Sequence, residues 1–343
     1  MSDAGYTQNN ERSNISNGPL LRLKDLRKWY RIKKGFFGKV EYVKAVDGVS
    51  FIINKGEAVS LVGESGSGKT TLGRTILGLE VPTSGEILFE GKSLSISNPK
   101  ALALLRKETG FVQQDPFGAL PPFMNVKRIL EEPMIINKID KKERDERVHK
   151  ALSEVRLTPV GDFLNKYPHM LSGGQQQRLV IARAIILNPK LMVADEPVSM
   201  LDASVRIEIL TLLRELQRKH NLSIIYITHD LSTTRYFSEW IFVMYAGKIV
   251  EKSRTYDLLK NPLHPYTKSL LQALPDPDPK NRFILREIPP GEPPNLIDPP
   301  RGCRFNPRCV FAIEGLCDKD EPPEVELERN HLVSCWLHAN TKK

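Results

Sequence analysis

Apolar residues in this chain fall into runs of distinct period, and each period predicts a different element. Glu57–Val62 (EAVSLV) and Leu191–Asp195 (LMVAD) are short and nearly unbroken, the pattern of strands buried on both faces. KTTLGRTILGL from Lys69 and QQQRLVIARAIIL from Gln175 carry apolar residues at helical spacing. Residues 99–170 are rich in the same signal, in PKALALLRKE, NVKRILEEPMII and KKERDERVHKALSEVRL. Residues 21–62, including FFGKVEYVKAVDGVSFII, read as strands and turns. Strand and helix then alternate from Lys190 to Lys252, as a doubly wound α/β sheet requires. From Pro262 onward prolines dominate, in PDPDPK and IPPGEPPNLIDPP, and exclude a continuous helix or central strand there. No internal repeat is evident.

At 343 residues the chain exceeds one compact domain and can bury a large core. No apolar run reaches the 18 or more residues of a membrane helix. The opening MSDAGYTQNNERSNISNG is polar and has no signal-peptide core, so residues 1–20 are expected to be a disordered lead-in on a chain that stays inside the cell. A net charge of +9 is compatible with nucleic acid or an anionic membrane surface. No basic block interleaved with aromatics appears, so no nucleic-acid partner is expected and the charge reads as a solvated surface that can lie near lipid.

Three motifs carry the chemistry. GESGSGKT at 63–70 fits G-x-x-x-x-G-K-[ST] and sits between a strand pattern and a helix pattern. Its glycines Gly63, Gly66 and Gly68 let backbone N–H groups converge on an anion at a helix start, with Glu64, Ser65, Ser67 and Thr71 completing the cradle. Lys69 is expected to reach the β- and γ-phosphates, and the Thr70 hydroxyl to sit on Mg²⁺. LMVAD ends in Asp195, the acidic partner of that metal, and Glu196 follows at a position suited to polarising a water aimed at the γ-phosphorus. In LSGGQQQR at 171–178, Ser172 is a good helix N-cap, and Gly173, Gly174 and Gln175 open a second anion-binding helix start. The P-loop already serves one nucleotide, so the second helix start requires another nucleotide or subunit.

These motifs, in this order, resemble the ATP-binding cassette (ABC) family from about Leu21 to Lys260. The resemblance implies a P-loop cassette at 21–260 with a mixed core sheet, a β-rich edge and an inserted helical subdomain at about 115–175. It implies that two cassettes close head to tail, the LSGGQ of one on the ATP of the other. Gln114 in FVQQDP matches the glutamine that joins the Mg²⁺–water network to the transmembrane partner, with Gln113 as its rival. Asp202 in SMLDAS matches the loop facing the second subunit. His229 in IIYITHD matches the γ-phosphate histidine, and Tyr30 in LRKWYR the aromatic that stacks on adenine, with Trp29 adjacent. A soluble ATPase of DNA repair or translation would use the same site, but there is one cassette here and no long heptad arm. An exporter is disfavoured by the lack of a fused membrane span.

HPYTKSLLQALP at 264–275 and PPGEPPN at 289–295 resemble the C-terminal extension, here 261–343, of the oligopeptide/dipeptide branch of ABC importers. That branch imports peptides, nickel chelates or oligosaccharides. KKGFFGKVEYVKAVDGVSF also resembles it, in particular the second of its two ATPases. The implied assembly is a heterodimer of ATPases with two transmembrane permease subunits and an extracellular solute-binding protein, this chain lying peripherally on the cytoplasmic membrane face. All four cysteines lie in the extension, Cys303, Cys309, Cys317 and Cys335, spaced C-x5-C-x7-C-x17-C. A reducing cytosol disfavours disulfides. Zinc, an iron–sulfur cluster and free or oxidised thiols remain as readings of the residues. The resemblance implies a 4Fe–4S cluster.

Overall fold

The computed structural model describes residues 18–33, 40–94, 98–273 and 291–339. The expected lead-in up to residue 17, the FFG turn and the PDPDPK stretch lie outside the described residues.

Two sheets organise the chain. The smaller, β1 (Leu21–Lys33), β2 (Val40–Ile53), β4 (Ser84–Phe89) and β5 (Lys92–Ser93), is antiparallel in the order β2-β1-β4-β5. It is the expected β-rich edge, completed by a hairpin at 84–93 that the reading of 21–62 did not reach. The larger sheet contains β3 (Ala58–Val62), β6 (Thr109–Val112), β7 (Leu191–Asp195), β8 (Ser223–Thr228), β9 (Trp240–Tyr245), β10 (Lys248–Arg254), β11 (Glu324–Glu328) and β12 (His331–Ser334). Its order is β11-β12-β10-β9-β3-β8-β7-β6. β9, β3, β8, β7 and β6 are mutually parallel, and the remaining pairings are antiparallel.

The parallel strands are short apolar runs because both faces are covered. Met192, Ala194, Ile224 and Tyr226 face one core, and Leu191, Val193, Ile225 and Ile227 face another. This alternation is the period of two of a pleated strand. α1 (Lys69–Ile76) packs Leu72 and Ile76 into the second core with the small sheet. The first core takes α7 (Gly173–Ile185), α8 (Ala203–His220) and the inserted helices α4 (Val126–Ile136) and α5 (Lys141–Glu154). Asn125 caps α4 through the Arg128 N–H, and Asp140 caps α5 through the Lys142 N–H. Short α3 (Pro116–Ala119) and α6 (Gly161–Leu164) complete that insert. α2 (Pro99–Glu108) lies ahead of it, and β6 separates the two, so the helix-rich stretch is divided by a four-residue strand. α9 (Leu231–Phe237) returns the chain to β9.

Strict strand–helix alternation stops at β9. Tyr245 pairs with Lys248 across Ala246 and Gly247, whose φ angles of 46° and 86° make a two-residue hairpin turn. The resulting antiparallel edge accepts β12 against β10. The extension therefore continues the cassette's own sheet. Between these strands run α10 (Thr255–Lys260) and α11 (Pro265–Gln272), and α12 (Trp336–Ala339) closes the described chain. Pro265 occupies the first turn of α11, where no N–H is required.

A buried carboxylate fixes the root of the extension. Glu251 in β10 accepts N–H bonds from Leu263 (2.8 Å) and His264 (2.9 Å) and pairs with His331 Nε2 at 2.7 Å. Desolvation opposes its charge, yet His331, Thr267 and the two backbone donors hold its pKa below the ordinary value. His264 Nδ1 accepts the Tyr266 N–H at 3.0 Å, capping α11. Burial pushes this imidazole from 6.5 down to about 4, with Glu251 pulling the other way and His338 adding to the fall.

A histidine with a depressed folded pKa is stabilising when neutral. As pH falls from 6.5 toward 4, the unfolded chain takes a proton that the folded chain refuses, and stability is lost, by about 3 kcal/mol at the acid end. His264→Asn keeps a capping oxygen and does not titrate. The melting temperature of this variant is expected to vary less steeply with pH across that window, and a slope equal to wild type rules the assignment out. Glu251 adds its own loss only below its ordinary value of 4.5.

Candidate active site

Every predicted catalytic and Mg²⁺ residue lies at or just beyond the C-terminal end of a parallel strand, where an open α/β sheet places its ligands. The P-loop follows β3, Gln114 follows β6, Asp195 ends β7 with Glu196 behind it, and His229 follows β8. One cleft gathers them, except that Asp195 lies behind its lining, bonded to Thr70. Glu64–Gly66 and Gly68–Thr71 line it together with Gln114, Glu196 and His229, and Ala45 and Leu270 also contribute.

The loop is tightly enclosed. Gly68 has φ 104°, and a Cβ there would sit 2.0 Å from the Ala45 carbonyl oxygen, so only glycine is tolerated. Lys69 is nearly buried, with Nζ donating to Gly63 O (2.7 Å), Glu64 O (2.8 Å) and Ser67 Oγ (3.3 Å). Desolvation lowers its pKa, against the carboxylates of Glu196, Asp195 and Glu64. A buried ammonium held by loop oxygens at the mouth of an N–H cradle fits a polyphosphate.

Thr70 Oγ1 donates to Asp195 Oδ1 at 3.1 Å. Burial raises the Asp195 pKa, Thr70 opposes that rise, and the neighbouring Glu196 charge adds to it. A hydroxyl beside a desolvated carboxylate fits Mg²⁺, which takes one or two protein oxygens and completes its shell with phosphate and water.

Glu196 is clasped on both oxygens. Gln114 Nε2 donates to Oε2 at 3.1 Å, and His229 Nδ1 lies 2.9 Å from Oε1. Its backbone is left-handed, φ 45°, and its N–H bonds Ile227 O at 2.9 Å. The carboxylate is thus aimed by two side chains from two other strands. Gln114 makes this contact, and Gln113 does not line the cleft.

The other predicted nucleotide residues lie outside the cleft lining. Ser172 Oγ accepts the Gln175 N–H (3.3 Å) and Gln175 Oε1 accepts the Ser172 N–H (3.0 Å), a reciprocal cap at the start of α7. Gly173 and Gly174 stand beside Leu201 and Val205, next to Asp202, which precedes α8 without capping it. Tyr30 carries the Lys28 ammonium 4.7 Å above its ring, and Lys28 is anchored to Glu80 and Val81 O. Trp29 takes Lys44 over its ring at 5.3 Å and donates to Asp47 at 3.1 Å.

Sequence reasoning missed the extension's hold on the P-loop. The Tyr266 hydroxyl accepts the Glu64 N–H at 2.7 Å. Arg308 pairs with the Glu64 carboxylate at 3.0 Å. Arg304 pairs with Asp47 and donates to Ala246 O, and the next residue, Gly247, donates to Ser67 O at 2.8 Å. The available signal was the HPY triplet and an arginine beside two of the cysteines. Neither says what it touches.

Cys303 donates its N–H to Cys317 O at 2.8 Å, and Cys303 and Cys309 both pack against the core that holds Tyr245, Tyr266 and Phe305. All four are free thiols. Burial raises Cys303 to about 11, Cys335 to about 12, and Cys309 as well. Ile313 donates its N–H to Cys317 Sγ at 3.3 Å. Among the described residues no three His, Cys, Asp or Glu side chains are grouped to hold a single metal ion.

The class that this fold and cleft define is the ATP-binding cassette ATPase. A family model described as ABC transporter matches residues 46–199, and a second, described as oligopeptide/dipeptide transporter, C-terminal region, matches 250–317. The chain belongs to the dipeptide/oligopeptide transport ATP-binding proteins of the ABC family. It is 44% identical over 321 residues to the dipeptide transport ATP-binding protein DppF of Haemophilus influenzae, covering 93% of this chain and 97% of that one. It is 44% identical to the oligopeptide transport ATP-binding protein AppF of Bacillus subtilis, covering 93% and 98%. Among solved structures, cbiO1 from Clostridium perfringens, part of the ABC transporter complex cbiONQ, has a TM-score of 0.61 at 28% identity, covering 71% of this chain and 91% of its own. The cassette MJ0796, solved as a post-hydrolysis dimer bound to ADP and Pi, has a TM-score of 0.60 at 32% identity, covering 68% and 98%.

Proposed function

We propose that this chain is the ATP-hydrolysing subunit that drives uptake of peptides or related solutes through an ABC importer, seated on the cytoplasmic face of the membrane. The observation that carries this reading is Glu196 held by Gln114 and His229 opposite a P-loop lysine, in a chain whose extension matches the peptide-transporter region. Lys69 and the P-loop N–H groups bind the phosphates. Thr70 and Asp195 hold Mg²⁺, which supplies charge neutralisation at the transferred phosphoryl group. Glu196 orients and polarises the attacking water, His229 aligns Glu196 and senses the γ-phosphate, and Gln114 ties that carboxylate to the helical insert. Tyr30 stacks on the base.

Ser172–Gln175 and Asp202 serve the partner's nucleotide, which is supported by their position outside the chain's own cleft. The partner is a second, different ATPase, as the resemblance of the extension suggests. Phe117, Phe123 and Ile136, exposed at 62%, 77% and 74%, lie on the insert beyond Gln114 and suit docking of the two permease subunits. Among the described residues no helix is long and apolar enough to cross a membrane, so the spans come from those partners. An extracellular binding protein delivers the solute. For the cysteines the proposal is a 4Fe–4S cluster, supported by the confinement of all four to the extension and by the Cys303 N–H bond to Cys317 O at 2.8 Å.

One purification tests these points. The tagged chain, extracted anaerobically from its membrane in mild detergent, is expected to bring two polytopic subunits and a second LSGGQ-bearing ATPase, with about four irons per chain. Recovery with repair or ribosomal proteins and no polytopic partner overturns the importer. Stoichiometric zinc without iron overturns the cluster.

A further inference from the structure

Glu64 is an awkward residue for a phosphate cradle. Glu64 lines the cleft, and its carboxylate is close enough to act on the Lys69 ammonium, so its charge would repel a polyphosphate bound there. Its own N–H points elsewhere, to the Tyr266 hydroxyl at 2.7 Å. Arg308 Nη1 reaches both Glu64 oxygens, at 3.0 and 3.3 Å, and the Tyr245 hydroxyl at 3.3 Å. Both extension residues are rigidly seated. Tyr266 is wholly buried, 4.5 Å from the ring of Tyr245 and 5.5 Å from that of Phe305. The Arg308 side chain is 8% exposed, and its guanidinium lies about 6 Å from the Tyr245 and Phe305 rings.

We propose that Tyr266 and Arg308 are positioning residues of the nucleotide site, Tyr266 fixing the first turn of the P-loop through the Glu64 N–H and Arg308 neutralising the Glu64 carboxylate so that it does not repel the phosphates. This rests on the reading of the cleft as the ATP site. The extension thereby becomes a working part of that site. The nucleotide affinity of the cassette depends on side chains that follow Glu64 in sequence by 202 and 244 residues.

The test uses the full-length chain and titration with a fluorescent ATP analogue. Arg308→Ala and the more conservative Arg308→Gln are expected to weaken binding about tenfold, because both leave Glu64 uncompensated. Glu64→Gln placed in either background is expected to restore affinity to within about twofold, since the repelling charge is gone. A purely structural arginine predicts the opposite, as the second change removes what remains of the pair. The loss in the single variants also shrinks at high salt.

Tyr266→Phe keeps the ring and removes only the acceptor. In the assembled transporter it is expected to raise KM for ATP about fivefold at unchanged kcat, whereas partial misfolding lowers kcat at unchanged KM. Lys69→Ala is the control. If it binds the analogue like wild type, the cleft is not the nucleotide site. If it loses binding while the Arg308 and Tyr266 variants bind like wild type, the positioning role is overturned and the site stands.

Discussion

Replacing Glu196 by Gln is expected to lower ATP turnover by about three orders of magnitude while leaving ATP affinity within a few-fold of wild type. The substitution is nearly isosteric. Gln still receives the Gln114 amide, 3.1 Å away, and still faces His229, 2.9 Å away, so the clasp survives. What disappears is the charge that polarises the water and can take its proton. On the proposed roles the phosphates and Mg²⁺ are held by other residues, so binding is expected to proceed and the paired cassettes to accumulate closed around unhydrolysed ATP. Phosphate release and size-exclusion chromatography with ATP measure the two effects together. Turnover within tenfold of wild type, with no added dimer, moves the polarising role away from Glu196.

The left-handed backbone at Glu196, φ 45°, shows how the site is held. Such a conformation is costly for a non-glycine residue and persists where surroundings impose it. Here the Glu196 N–H is bound to Ile227 O on the next strand, and its carbonyl accepts from the Ser199 N–H at 3.2 Å. The side chain is therefore fixed from its own backbone as well as from Gln114 and His229.

Local patterns carried most of the cassette. LMVAD and EAVSLV are buried strands because both faces meet helices, and a run without polar interruption has no other use. PKALALLRKE coincides with a helix, and SGGQ with a reciprocal cap, because caps and periods are properties of a few neighbouring residues. TGFV was not legible as a strand. Four residues carry too little period, and only pairing with β7 makes them one. The antiparallel turn at Ala246–Gly247 was hidden because alternation of strand and helix had been continuous up to that point. The extension's strands are only five and four residues long and follow the proline-rich stretch, and β12 is defined by what β10 offers it. Tyr266 and Arg308 are the extreme case. Their role depends on Glu64, some two hundred residues away, and no spacing in the sequence relates them.

Lys69→Ala is expected to cost about two orders of magnitude in ATP affinity, since a desolvated phosphate charge loses its charged donor. The ammonium is nearly buried and donates to Gly63 O, Glu64 O and Ser67 Oγ, so it is held within the loop. Little reorganisation is then needed to meet a phosphate, and the binding energy it contributes is not spent on ordering a long side chain. Its removal leaves the fold largely intact. A buried cation with a lowered pKa is a poor contributor to stability, and its loss relieves the desolvation that lowers it. The two effects separate in a thermal melt. At a hundredfold excess over the wild-type Kd, ATP stabilises the native state by about 2.7 kcal/mol, and a hundredfold loss of affinity reduces that to about 0.4 kcal/mol. The expected result is a melting temperature close to wild type without nucleotide and almost no rise with it. A normal ATP-induced rise in Lys69→Ala places the phosphates somewhere other than this loop. Lys69→Arg distinguishes charge from shape. It keeps the cation but brings a larger planar head into a buried site closed around a single ammonium by Gly63 O, Glu64 O and Ser67 Oγ, so it is expected to bind ATP as poorly as Ala.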